Sequence, residues 1–193
     1  MTNLHDPPRQ FETKRLLIRS LVPDDNILIC AAVQASHLEL SRFMPWCHAT
    51  YGLKDATTWV TQARAKWQLK AHFTFAIVEK LSGQLIGSVG LNAINKKDTA
   101  NLGYWIHSEY CGRGYATESA SGLLAYSEQY LRFKRLEIVM STRNMASRQV
   151  AINLKAKFEG TTRHHSVSTD ANHDAFVYAL YPEQGINKEI NYE

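Results

Sequence analysis

The chain has 193 residues, 45% hydrophobic and 21% charged, with a formal net charge of +4; that length suits one well-packed domain and is short for two. The longest apolar run, Ile27 to Val33, is too short to span a bilayer, and the opening "MTNLHDPPRQ" lacks the apolar stretch of a signal peptide. Cys30, Cys47 and Cys111 are odd in number and form no CxxC, which argues against a disulfide framework and for a reducing, cytoplasmic setting.

Taken in order, "TKRLLIR" (13–19) reads as a first strand, and "VPDDN" supplies the residues of a helix start. A helix is expected from Asp25 to about Leu40. The loop "FMPWCHATYG" (43–52) follows, and its Phe43, Trp46 and Tyr51 either line a pocket or plug the core. Ala56, Trp59, Val60, Ala63 and Trp67 fall on one helical face. The period then switches to two. Phe73, Phe75 and Ile77 alternate, then Leu85, Gly87, Val89 and Leu91, then Leu102, Tyr104 and Ile106, with turns at "LSGQ" and "NKKD". That is an antiparallel meander. A helix follows, with Ala116, Ala120, Leu123, Leu124 and Leu131 on its buried face. Next come a strand "RLEIVM" (135–140), a short helix starting near Asn144, and a last strand "FVYALY" (176–181). The predicted order is β-α-α-β-β-β-α-β-α-β-β: a mixed α/β fold whose mostly antiparallel central sheet is flanked by helices. One domain is expected over 1–193, with a core of about 11–182 and a tail at 183–193. The basic residues are scattered, "RFKR" (132–135) being the densest cluster, so neither nucleic acid nor membrane is an expected partner.

The stretch "YCGRGYATES" (110–119) brings a strand through two glycines into a helix. Unpaired amides at a helix N-terminus, with the dipole behind them, suit an anion. Two phosphate motifs fail here: no Lys-Ser/Thr follows the second glycine, and Thr117 stands where GxGxxG needs glycine. His164, His165, His173 and Asp174 lack the spacing of a closed metal site, so no metal is expected. Cys111 beside the helix start reads as a small filler rather than an acidified, reactive thiol.

"GYWIHSEYCGRGYATES" followed by "RLEIVMSTRNMASRQVAINLKAKFEG" resembles the GNAT family of N-acetyltransferases, and the branch that acetylates the N-termini of ribosomal proteins above all. The likeness runs from "TKRLLIRSLVPDD" through "FMPW" to "HDAFVYAL". Gly114 and Ala116 match the last two fixed positions of the family's Gln/Arg-x-x-Gly-x-Gly/Ala loop, while Cys111 replaces its first residue. The resemblance implies acetyl-CoA as cosubstrate, with its diphosphate on the amides of Gly112, Arg113, Gly114, Tyr115, Ala116 and Thr117. It further implies a bulge near Trp105 and Ile106 whose amide polarises the thioester, with His107 beside it on the cofactor. Asn144 and Ser147 match the block that meets the pantetheine arm, Ser147 as proton donor; Asn144 as a plain helix cap stays open beside that role. "NLKA" (153–156) departs from the family's Lys-Leu-Gly-Phe.

Acetyl transfer needs a neutral amine, a polarised carbonyl and a departing thiolate. An α-amine, pKa near 8, is easier to neutralise than lysine at about 10.4, by roughly 3.3 kcal/mol. The base is left among Glu39, Glu109, His164, His165 and relayed water; Ser166 stands where a relative carries glutamate and is a poor base. The expected reaction is direct attack in a ternary complex by a primary amine, a protein N-terminus first. A small-molecule amine (polyamine, amino acid, aminoglycoside) is the nearer alternative, and a non-catalytic acyl-CoA-binding regulatory module the more distant one. The chain is expected to act as a monomer or homodimer.

Overall fold

The computed structural model describes residues 6–96, 98–163 and 174–182. Eight strands form one sheet in the order β1-β2-β3-β4-β5-β6-β8-β7. They are β1 (Gln10–Glu12), β2 (Leu16–Ser20), β3 (Phe73–Glu79), β4 (Leu85–Lys96), β5 (Thr99–Ile106), β6 (Arg135–Ser141), β7 (Lys157–Arg163) and β8 (Asp174–Leu180). Every neighbouring pair is antiparallel except β5–β6. The expected mixed, mostly antiparallel sheet is therefore present, with one short strand, β1, added in front. The helices are α1 (Asp25–Ala35), α2 (His37–Leu40), α3 (Leu53–Gln68), α4 (Tyr115–Tyr126) and α5 (Met145–Asn153).

Period-two alternation in the strands divides the apolar side chains between two faces. Phe75 and Ile77 join Leu123, Leu124 and Ala151 in the core under α4 and α5. Ala76 and Trp105 point the other way, into a second core with Ile29, Val33 and Val60 of α1 and α3. The face foreseen on α3 is the buried one at Ala56, Val60, Ala63 and Trp67, with Trp59 half-buried.

Two expectations need correcting. The helix from Asp25 to Leu40 is two helices, broken at Ser36. Ser36 is fully buried, and its Oγ accepts from the Ser108 amide at 2.9 Å. The break thus supplies a hydroxyl that props the short helical turn Ser108–Tyr110, which leads into the glycine loop. The strand expected at 13–19 is β2 and starts at Leu16 rather than Thr13, because Thr13 and Arg15 are drawn to α4. Glu118 accepts from Thr13 Oγ1 (2.6 Å), the Arg15 amide (2.8 Å) and Arg15 Nε (2.7 Å). Burial alone raises the Glu118 pKa, but these bonds outweigh it and the net direction is downward.

The departure at "NLKA" is accommodated by strain. Lys155 follows α5 with φ +57°, the left-handed conformation that glycine ordinarily fills. That region costs a side-chain-bearing residue about 1–2 kcal/mol. Lys155→Gly is expected to raise Tm by roughly 2–4 °C, the effect of about 1 kcal/mol in a domain of this size; thermal unfolding measures it.

Candidate functional site

β5 and β6 are parallel but pair only at Thr99–Asn101 with Arg135–Glu137. Beyond Asn101 they diverge, and between them lies a cleft of about 310 Å³. The His107 amide donates to Ile86 at 2.8 Å, and Gly87 stands opposite Ile106 in register. Antiparallel ladders alternate, so the amides of Tyr104 and Ile106 point away from β4, toward the gap. The bulge expected near Trp105 and Ile106 is absent: the pairs run without offset from Gly87–Ile106 to Asn92–Asn101. Strand divergence frees these amides instead. The backbone is still crowded there, since a Cβ on Gly87 would come within 2.2 Å of the Trp105 oxygen.

At the end of the same strand the chain turns through Gly112 (φ +75°) and Gly114 (φ +82°) into α4. The first helical bond is Glu118 N–H to the Gly114 carbonyl, so the amides from Gly112 to Thr117 precede it and have no partner within the helix. Two cations flank them. Arg15 donates to the Arg113 carbonyl at 3.0 Å and sits 4.2 Å from the Tyr115 ring centre; Arg113 lies 5.3 Å from that of Tyr110. Tyr115 itself is buried, its hydroxyl bonded to Glu79 at 2.9 Å, so it offers the loop only its amide. Ala116 packs against the core.

Across the cleft, Asn144 Oδ1 accepts from the Ser147 amide at 3.0 Å. Asn144 is thus a helix cap, and its Nδ2 protons remain for a ligand. Ser147 Oγ lies 2.9 Å from Tyr104 OH. Burial, partly offset by that bond, pushes the Tyr104 pKa up to about 12, so the phenol keeps its proton at neutral pH. In the sequence Tyr104 reads only as a core position; a hydroxyl in an apolar alternation is the available signal. Arg15 and Ser36 escape a sequence reading because their partners lie 103 and 72 residues away.

The candidate carboxylates fare differently. Glu39 accepts from Ser108 Oγ at 2.8 Å and does not line the cleft, so its geometry is that of a support for the turn rather than a base. Glu109 does not line it either. His107 Nδ1 caps the same turn by accepting from the Glu109 amide at 3.2 Å, and with its own amide on Ile86 it offers no backbone donor to a cofactor. His164, His165, Ser166 and His173 lie outside the described residues. Burial first, then the charge of Glu39, raises the Cys111 pKa, which makes this thiol less reactive than an ordinary one. Among the described residues no cluster of His, Cys, Asp or Glu could hold a metal, and no helix is long and apolar enough to cross a membrane.

On the α1–α3 side the cleft is walled by Phe43, Met44, Trp46 and Trp59. Tyr104 is its one titratable side chain among the described residues: no Asp, Glu, His, Lys or Arg lines it. The site is therefore a neutral slot through the sheet. It has unpaired amides along one wall, a hydroxyl pair facing them, and at the end of β5 a helix N-terminus whose first amides have no partner within the helix.

Comparison with known proteins agrees with this architecture. Residues 15–157 match the family model described as acetyltransferase (GNAT) domain. The uncharacterized N-acetyltransferase YoaA of Bacillus subtilis (strain 168) is 27% identical over 177 residues, 88% of this chain and 95% of its own. The ribosomal-protein-serine acetyltransferase of Escherichia coli (strain K12) is 29% identical over 97 residues, 50% of this chain and 54% of its own. A structure of RimL, a ribosomal L7/L12 α-N-protein acetyltransferase in complex with coenzyme A, superposes with a TM-score of 0.82 at 19% identity, covering 89% of this chain and 97% of that one.

Proposed function

The chain belongs to the GNAT acetyltransferase family, an acetyl-CoA-dependent N-acetyltransferase, and from that premise we propose that its acceptor is the N-terminal α-amine of a ribosomal or other cytoplasmic protein. The observation that carries the acceptor is the neutral cleft. Polyamines and aminoglycosides carry several positive charges and call for carboxylates around them, and the described lining has none. A single α-amine, pKa near 8, is substantially neutral without a strong base, so relayed water suffices.

Acetyl-CoA supplies an activated acetyl group on a thiol that leaves readily. The amides from Gly112 to Thr117 would seat its diphosphate, with Arg15 and Arg113 adding positive charge at the rim. Asn144 Nδ2 and the free edge of β5 would meet the pantetheine arm. The Tyr104 and Ile106 amides are fixed donors aimed into the slot, where an oxygen developing negative charge would be held without reorganisation. Tyr104 and Ser147 are hydrogen-bonded to each other; one hydroxyl would give its proton to the departing sulfur, the other would pass its own proton to the first, and solvent would restore the pair. Phe43, Met44 and Trp46 give the acceptor side an apolar wall. An acyl-CoA-binding regulatory module would have lost the slot or filled its acceptor side, whereas both stand open here.

The test is to incubate the protein with labelled acetyl-CoA and a lysate and locate the label by peptide mass spectrometry. Label on protein N-termini is expected, with kcat/KM rising with pH through the acceptor's own pKa, roughly 8. Label confined to small amines would replace the acceptor, and binding without turnover on any amine would overturn catalysis.

A further inference from the structure

Behind the acceptor side of the slot lies a second cavity of about 330 Å³ between α1, α3 and the loop 43–52. It shares Trp46, Trp59 and Trp105 with the slot, so one indole wall separates the two spaces. Its floor is Ile29, Val33, Tyr51 and Trp105, all buried in the second core. Trp46, by contrast, is 40% exposed, large for an indole, and leans on Tyr51 and Trp105 with ring centres 5.8 and 6.3 Å away.

We propose that this cavity is a specificity pocket for an uncharged apolar side chain carried by one of the two residues that follow the reactive amine. It rests on the N-terminal acetylation reading above. Three observations choose this occupant. The volume falls within the roughly 300–1,000 Å³ range of ligand pockets, and the lining is chiefly aromatic and aliphatic, which suits an apolar side chain. The shared tryptophans put it one ring away from the reacting centre, and successive residues of an extended peptide advance about 3.3–3.6 Å.

The mouth, finally, does not select a charge. Lys54 and Asp55 stand there together with opposite signs. The Asp55 carboxylate is already engaged, Oδ2 by the Gly52 amide at 2.9 Å and Oδ1 by His48 Nε2 at 3.6 Å. An aromatic enclosure would otherwise invite a cation, but a cation here meets a neighbouring lysine and a carboxylate in use. An apolar side chain loses only water, and it gains the indole faces.

The experiment uses the intact protein and peptides with a common first residue, varied at the second and third positions among Gly, Asp, Lys, Leu and Phe. Leu or Phe at one of these positions is expected to raise kcat/KM over Gly by roughly 10-fold or more, the low end of what a single methylene contributes in an apolar pocket. Thr58 lies exposed at the mouth, on α3. Thr58→Trp, which closes it from outside the core, is expected to remove the Leu-over-Gly preference. Turnover that ignores both side chains, or a preference that survives Thr58→Trp, overturns the pocket while leaving N-terminal acetylation standing. A preference for Lys overturns the apolar assignment in favour of a cation cage. No turnover of any peptide overturns the reading on which the pocket rests.

Discussion

Replacing Gly114 with valine is expected to weaken acetyl-CoA binding at least 100-fold while leaving the protein folded. A Cβ at Gly114 would meet only Arg15 Nη2, at 3.5 Å, so no clash drives the effect. The backbone does: φ is +82°, a conformation in which a β-branched residue is a true outlier. The loop would relax toward negative φ and swing the amides of Gly112 to Thr117 off their common focus. A hydrogen bond to a charged group contributes about 1.5–3 kcal/mol, so losing two removes about 3–6 kcal/mol. At 1.4 kcal/mol per decade that is roughly 100-fold or more. Gly160 provides the control. It lies in β7, the edge strand beyond β6 and β8, with φ +143°, and a Cβ added there would meet nothing within 4 Å. Gly160→Val should also carry backbone strain and leave affinity alone. Calorimetric titration with coenzyme A, beside circular dichroism, separates the two. Equal affinities for Gly114→Val and the unaltered protein would refute the diphosphate seat.

What the sequence showed and what it hid follow from the range of the forces involved. The meander was legible because Phe73–Ile77, Leu85–Leu91 and Leu102–Ile106 alternate with period two, and one buried face enforces that register locally. The glycine loop was legible because positive φ leaves its mark in residue type at Gly112 and Gly114. The break at Ser36 was not, since nothing nearby in the chain demands it; its reason is the Ser108 amide, 72 residues on. Lys155 shows the reverse case, a turn made without the residue that would announce it. The slot could not be read from the strands either, because divergence of β5 from β6 is a property of the pair. Glu39 reads as a base for being a carboxylate beside an aromatic loop; what the sequence does not show is its bond from Ser108 Oγ, 69 residues on, which holds it outside the cleft lining. Asn144 kept both of its readings, since a carboxamide can cap with its oxygen and still donate with its nitrogen.

The proton on the slot's far wall gives the second large effect. Tyr104→Phe keeps the ring and removes the hydroxyl 2.9 Å from Ser147 Oγ, and it is expected to lower kcat by roughly 10- to 100-fold. That lies at or below the lower bound of the roughly 100- to 10,000-fold that a positioned acid contributes, because a thiol is a good leaving group. The KM for acetyl-CoA should change little, since the diphosphate seat lies elsewhere. Ser147→Ala should act in the same direction, and the double variant should lose scarcely more than the worse single one, because two hydroxyls in one proton relay act as a unit. The pH dependence fixes the sign. Tyr104, with its pKa pushed up to about 12, stays protonated throughout the working range, so the unaltered enzyme shows no decline from losing it. The variants' deficit should narrow as pH passes about 8.5, where a thiolate departs without needing a proton. A deficit constant with pH, or one shared equally between kcat and cofactor affinity, would reassign Tyr104 and Ser147 to packing of the cleft wall.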